Sequence, residues 1–197
     1  MISARARLLR QPSFVRLGSE LESHIETTIS NTPPAELIGF IDEQCLQLLN
    51  EAFRAVCSNE GMVWLADCDE HHLVASYNTG LRADELVGFR QPIGSGIISM
   101  VYAQQQPYCE NEIGSNAGHD NTLDQKVSKH TKAMIAVPLY FAFRLRGIIS
   151  CVQFEEGGCG DSGFNSSHVQ TLVKVSNTIE RLVDSNLLHS ALGLNDG

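Results

Sequence analysis

An α+β domain built on an antiparallel sheet is the fold class this sequence predicts, and three observations predict it. Apolar residues alternate with period two in pairs of short runs, and each pair is joined by a brief connection. Two longer segments, one in the first third and one at the end, carry apolar residues at helical spacing. The most apolar stretch, TKAMIAVPLYFAFRLRGIIS at 131–150, is broken by Pro138, Arg144 and Arg146. It is too interrupted for a membrane span of about 20 apolar residues, and a central proline argues against a buried helix.

The elements follow in chain order. The first eighteen residues, MISARARLLRQPSFVRLG, hold four arginines and no acid. They read as an exposed helical arm or loose terminus, with a transit-like leader as the other reading. Residues 19–31 suit a short helix that stops at the NTPP turn. Over 35–56, Leu37, Ile41, Cys45, Leu49, Phe53 and Val56 share one broad face, and proline opens the first turn, which predicts a single helix. GMVWLA at 61–66 and HLVASY at 72–77 read as strands, with DCDEH as the polar connection between them. A turn at 78–80, a short strand at 89–93 and the punctuating IGSG lead to a helix over 96–105. Residues 107–113 should be extended, 114–121 a loop and 122–131 a helix.

Two strands then follow. Residues 133–140 place Ile135, Val137 and Leu139 on one face, and 147–155 carry Ile148, Ile149, Val152 and Phe154. Residues 141–146 connect them, and the apolar FAF within that connection should pack on something. Pro138 marks a position that needs no ladder donor, at an edge or a bulge. Asn165 or Ser166 can cap a last helix with a stripe running from Val169 through Leu172, Ile179 and Val183 to Leu187. The chain thus divides into a partly helical extension (1–34), one domain (35–189) and a tail (190–197).

Composition narrows the function classes. The 197 residues suit one domain, and 43% hydrophobic with 19% charged residues is ordinary for a soluble globular protein. The net charge of −9 opposes a phosphate backbone, so nucleic acid is not the expected partner, and no membrane is expected. Cys45, Cys57, Cys68, Cys109, Cys151 and Cys159 form no C-x-x-C pair and no zinc spacing. They read as free, mostly buried thiols in a reducing compartment, and with no apolar core long enough for a secretory signal this predicts a cytoplasmic location. No kinase, cyclase or DNA-binding motif appears, so a protein consisting of this chain alone would act on a separate partner or report by dimer geometry.

Four stretches in order carry a resemblance: GMVWLADCDEHHLVASYNTG, QPIGSGIISMVYAQQQPYCENEI, AMIAVPLYFAFRLRGIISCVQFE and FNSSHVQTLVKVSNTIERLV. Together they resemble a GAF domain over about two thirds of the chain. The resemblance implies a sheet of five or six strands flanked by helices, with a small-molecule pocket on one face. It also implies signalling through a helical homodimer, here through residues 35–56 and 165–187. Bilin-binding members carry Cys-His before the VPL strand, whereas NTLDQKVSKHT has His130 and no cysteine, which disfavours a covalent bilin. Free methionine-R-sulfoxide reductases carry a cysteine in the helix after the central glycines. GIISMVYAQ has none, and only Cys109 lies near. The cyclic-nucleotide motif of the phosphodiesterases is absent. The cofactor is therefore left unnamed.

The candidate ligand-binding residues are Trp64, Phe89, Ile93, Ile97, Tyr102, Cys109, His119, Asp120, Leu123, Val127, His130 and Met134, with no catalytic or metal residue expected. Each has a plainer reading. The large apolar ones suit a core, Cys109 a half-buried strand position, and Asp120 and His130 the two ends of a helix. DCDEHH gathers potential metal ligands, but alternation along a hairpin points neighbours apart. Three functions remain. A noncatalytic ligand-sensing module comes first and a dimerisation scaffold with a closed pocket second. A thiol enzyme of the methionine-sulfoxide type, needing Cys109 and a second thiol, is third.

Overall fold

The computed structural model describes residues 12–115, 129–156 and 163–194. Six strands form one sheet: β1 (Glu60–Ala66), β2 (His72–Asn78), β3 (Arg90–Pro92), β4 (Tyr108–Glu110), β5 (Thr131–Phe141) and β6 (Arg144–Phe154). Their order is β3-β2-β1-β6-β5-β4, and every neighbouring pair is antiparallel. The predicted fold class is the observed one. The described helices are α1 (Pro12–Ser30), α2 (Pro34–Leu37), α3 (Glu43–Ala55), α4 (Ala83–Leu86), α5 (Gly96–Gln104) and α6 (Ser166–Ala191). No described helix is long and apolar enough to cross a membrane.

Period-two alternation divides the sheet into two faces. On one, Val63, Leu65, Ile135, Val137, Ile149 and Cys151 pack against Leu49 and Phe53 of α3 and Leu172, Ile179 and Val183 of α6. On the other, Met62, Trp64, Leu73, Ala75, Ala136 and Ile148 meet Leu86 of α4 and Ile97, Ile98 and Val101 of α5. The helical stripes read from the sequence are therefore largely consumed inside the chain's own core.

Three expectations about elements need correction. Residues 35–56 are not one helix. A short α2 and a 3-10 turn (Ile38–Phe40) end at Ile41, whose ψ of 86° leaves the helix. Asp42 then starts α3 afresh, its side chain accepting from Cys45 N–H at 2.9 Å. The connection between β5 and β6 is two residues, not six. Ala142 and Phe143 both have positive φ (48° and 64°), as a tight primed hairpin turn requires. Neither is a usual residue there, so other side chains support the turn. Asp184 of α6 accepts from Ala142 N–H at 2.6 Å, and the Arg146 guanidinium donates to the carbonyls of Phe141 and Ala142 at 3.4 and 3.3 Å. Phe141 and Ala142 are buried while Phe143 is half exposed, so FAF packs only in part. Finally, Lys129 and His130 lie outside any helix and Thr131 already belongs to β5. The rest of the helix expected at 122–131 lies outside the described residues.

Other expectations match. Pro138 sits beyond the last pair of the short edge strand, Tyr108↔Ala136, so that side of β5 needs no donor there. Asn165 is the α6 cap, accepting from the N–H groups of Ser167 and His168. IGSG is a backbone bend: Gly94 and Gly96 hold φ of 113° and 75°, conformations that favour glycine.

Candidate functional site

Between the sheet face carrying Trp64 and the α4–β3–α5 segment lies a cavity. Its free volume is about 70 Å³, within a hollow of about 650 Å³ that opens to solvent. β1 contributes Glu60, Gly61, Met62 and Trp64. β6 contributes Ser150, Cys151, Val152 and Phe154, and β5 contributes Thr131 and Met134. Leu86, Gln91, Gly96, Ile97 and Ile98 close it from above.

The floor is rigid. Trp64 is 1% exposed, its Nε1–H donates to Ser150 Oγ at 3.0 Å, and Phe89 meets it edge-on at 6.4 Å. Gln91 is fixed by its Nε2, which donates to the Ser95 carbonyl at 2.7 Å. One corner is polar. Glu60, buried, pairs with Lys129 at 3.2 Å, and the Lys129 ammonium also stands 4.3 Å over the Phe154 ring. Asn78 at the end of β2 accepts the Gly80 N–H at 2.6 Å, while its Nδ2 is buried with no partner among the described residues.

Of the residues expected from the sequence, Trp64, Ile97 and Met134 line this cavity. Phe89 touches it only through Trp64. Ile93 and Tyr102 pack at the edge of the same core and open instead onto a second cleft beside Arg144 and Arg146. His130 is exposed in a separate hollow next to Glu60 and Phe154. His119, Asp120, Leu123 and Val127 lie outside the described residues. Cys109 is a correction: it pairs with Ile135, whose side chain faces α3 and α6, and packs on that side of the sheet near Phe164 and Val169. Sequence reading missed Glu60, Met62, Asn78, Gln91, Ser150 and Phe154. Counting back by two from Trp64 and forward by two from Ile148 would have found four of them.

Among the described residues, the thiols and the acidic hairpin carry no assembled chemistry. Burial pushes the Cys151 thiol up to about 12 and Cys45 up to about 11, and burial, then Glu110, raises Cys109. Cys109 and Cys151 flank Ile135 on its two neighbouring strands, which holds them two strand spacings apart, beyond disulfide reach. Iodoacetamide at pH 8 should therefore label exposed Cys57 and Cys68 while sparing Cys45 and Cys151, as read by peptide mass spectrometry. Labelling of Cys151 as fast as Cys68 would contradict this placement. In DCDEHH, Arg90 pairs with both Asp67 and Asp69, and Asp69 also holds His72 Nδ1 at 2.7 Å. The His71 backbone N–H, His72 and Arg90 bring the Asp69 carboxyl down to about 2. Among the described residues no group of three or more His, Cys, Asp or Glu converges as metal ligands would.

Comparison with known proteins places this architecture. A family model described as GAF domain matches residues 41–183. The GAF domain of a phosphoenolpyruvate-protein phosphotransferase from Coxiella burnetii is similar with TM-score 0.62 and 14% identity, over 93% of this chain and 99% of that one. Free methionine-R-sulfoxide reductase from Neisseria meningitidis, solved with its substrate, is similar with TM-score 0.56 and 17% identity, over 93% and 99%. The GAF domain of a two-component sensor histidine kinase from Bacillus halodurans is similar with TM-score 0.58 and 10% identity, over 75% and 97%. At such identities the likeness is one of fold. No curated protein sequence matches the chain.

Proposed function

The chain belongs to the GAF domain family, and from that premise we propose that it is a noncatalytic sensor or regulatory module that binds a small molecule in the cavity on Trp64. One observation carries the reading. The cavity is lined by an apolar floor and by Asn78, whose buried Nδ2 has no hydrogen-bond partner among the described residues. A closed scaffold would gain by filling that space or pairing that donor.

The sheet is the route from ligand to output. β5 and β6 present Met134, Ser150 and Val152 to the cavity, and the same strands hold α6 on the opposite face. Ser176 Oγ donates to the Pro138 carbonyl at 2.7 Å, and Asp184 grips the β5–β6 turn. A ligand that shifts these strands shifts α6. The outer faces of 35–56 and 165–187, with Leu182 exposed on α6, pair with a second copy, and the geometry of that dimer carries the signal. That a neighbour by fold comes from a sensor histidine kinase is in keeping with such a role.

The small free volume favours a second reading, a dimerisation scaffold without ligand. Methionine-sulfoxide reduction has less support, because Cys109 faces away from the cavity. Native mass spectrometry of protein purified from its own cells tests the proposal. A dimer carrying a copurifying small molecule is expected. A ligand-free dimer points to the scaffold. Turnover of free methionine sulfoxide that is lost in Cys109→Ser would point to the enzyme.

A further inference from the structure

We propose that the cavity selects a compact, uncharged molecule bearing a carbonyl-type hydrogen-bond acceptor, received by Asn78 and screened by Glu60. This rests on reading the cavity as a ligand site. Asn78 is 6% exposed. Its amide orientation is fixed, because Oδ1 accepts the Gly80 N–H at 2.6 Å and the flipped amide would set two donors face to face. Nδ2 is thus the end left over, buried and without an acceptor among the described residues. A buried donor with nothing to bond is costly, and an acceptor brought by a ligand removes that cost.

Glu60 sets the charge rule. It is 7% exposed, lines the same cavity as Asn78, and its carboxyl lies over Gly80, where a Cβ would stand 2.3 Å from the Glu60 carboxyl carbon. Lys129 already neutralises that carboxylate at 3.2 Å. An anion entering the corner meets a carboxylate whose partner is engaged. A cation meets a carboxylate whose charge the Lys129 ammonium already balances. Neither recovers its lost hydration, whereas a neutral acceptor needs only the Asn78 donor. The free volume of about 70 Å³ restricts the choice to compact molecules.

The sequence holds one tryptophan, so the Trp64 indole N–H gives a single resonance in the cavity wall. The full chain is titrated with cyclopentanone, cyclopentane and cyclopentanecarboxylate while this resonance is followed. Cyclopentanone should shift it saturably, and the carboxylate should not. Asn78→Leu should weaken cyclopentanone at least fivefold and leave cyclopentane within twofold. Asn78→Ser, which retains an acceptor for the Gly80 N–H, should do the same if the leucine variant fails to fold. Equal cyclopentanone affinity in the wild type and a folded variant, or carboxylate binding as tight as the ketone, overturns the selectivity and leaves the ligand-site reading standing. If no probe moves the resonance in the wild type, both fall.

Discussion

Gly147→Ala is expected to lower the unfolding free energy by about 3 kcal/mol. Gly147 lies in β6 opposite Leu65 of β1, at the centre of the sheet. A Cβ built there would stand 1.9 Å from the Trp64 carbonyl oxygen and 3.2 Å from the Leu65 Cα. Both are backbone atoms, so no side chain can swing aside, and β1 and β6 must separate. That separation weakens the ladder that carries the cavity floor. The gain from a stiffer unfolded chain, about 0.4–1 kcal/mol for glycine to alanine, offsets only part of it. In a domain of this size the loss corresponds to a melting temperature lower by about 6–12 °C. Gly39→Ala is the control, since nothing lies within 4 Å of its Cβ position, and it should stay within about 0.5 kcal/mol of the wild type. Urea unfolding measures both. A Gly147→Ala loss under about 1 kcal/mol would mean that the central pair is more compliant than this close backbone approach allows.

The same central strands were the most legible part of the sequence. Val63 and Leu65, or Ile135, Val137 and Leu139, alternate without interruption because each strand has a helix-facing side that must be apolar. Proline and arginine inside the apolar run at 131–150 excluded a helix or span before any coordinate was needed. The polar corner of the cavity was hidden for a physical reason. β2 slips against β1 between Val63 and Trp64, so Trp64 pairs with Ala75 while Val63 pairs with Tyr77. The bulge breaks alternation along β2 and brings Asn78, not Tyr77, to the cavity side, opposite Met62. Read locally, Asn78-Thr79-Gly80 is only a turn. Glu60 reads as a polar residue before a strand, because nothing local says that Lys129 will meet it. Cys109 was misplaced because a strand of three residues has no readable phase. Its neighbour Ile135 decides which way it faces.

Trp64→Ala is expected to cost about 4 kcal/mol, the range for emptying a large aromatic site in a core. The indole is 1% exposed, bonded to Ser150 and packed edge-on against Phe89. Trp64→Phe separates the contributions. It keeps a ring and loses the N–H bond, so about 1–2 kcal/mol should go. Circular dichroism in urea is the readout, since both variants lack the chain's one tryptophan. The midpoint should fall with an unchanged m-value, because the native fold still buries the same chain. The alanine variant also joins the vacated volume to the existing cavity. Indole added to that variant should therefore return part of the lost stability, up to about 2.7 kcal/mol at a hundredfold excess over its dissociation constant. The wild type, whose site is occupied by its own ring, should gain less from the same addition. A Trp64→Ala loss below about 2 kcal/mol, or a wild type that indole stabilises equally, would show that Trp64 is a mobile wall of the cavity instead of its packed floor.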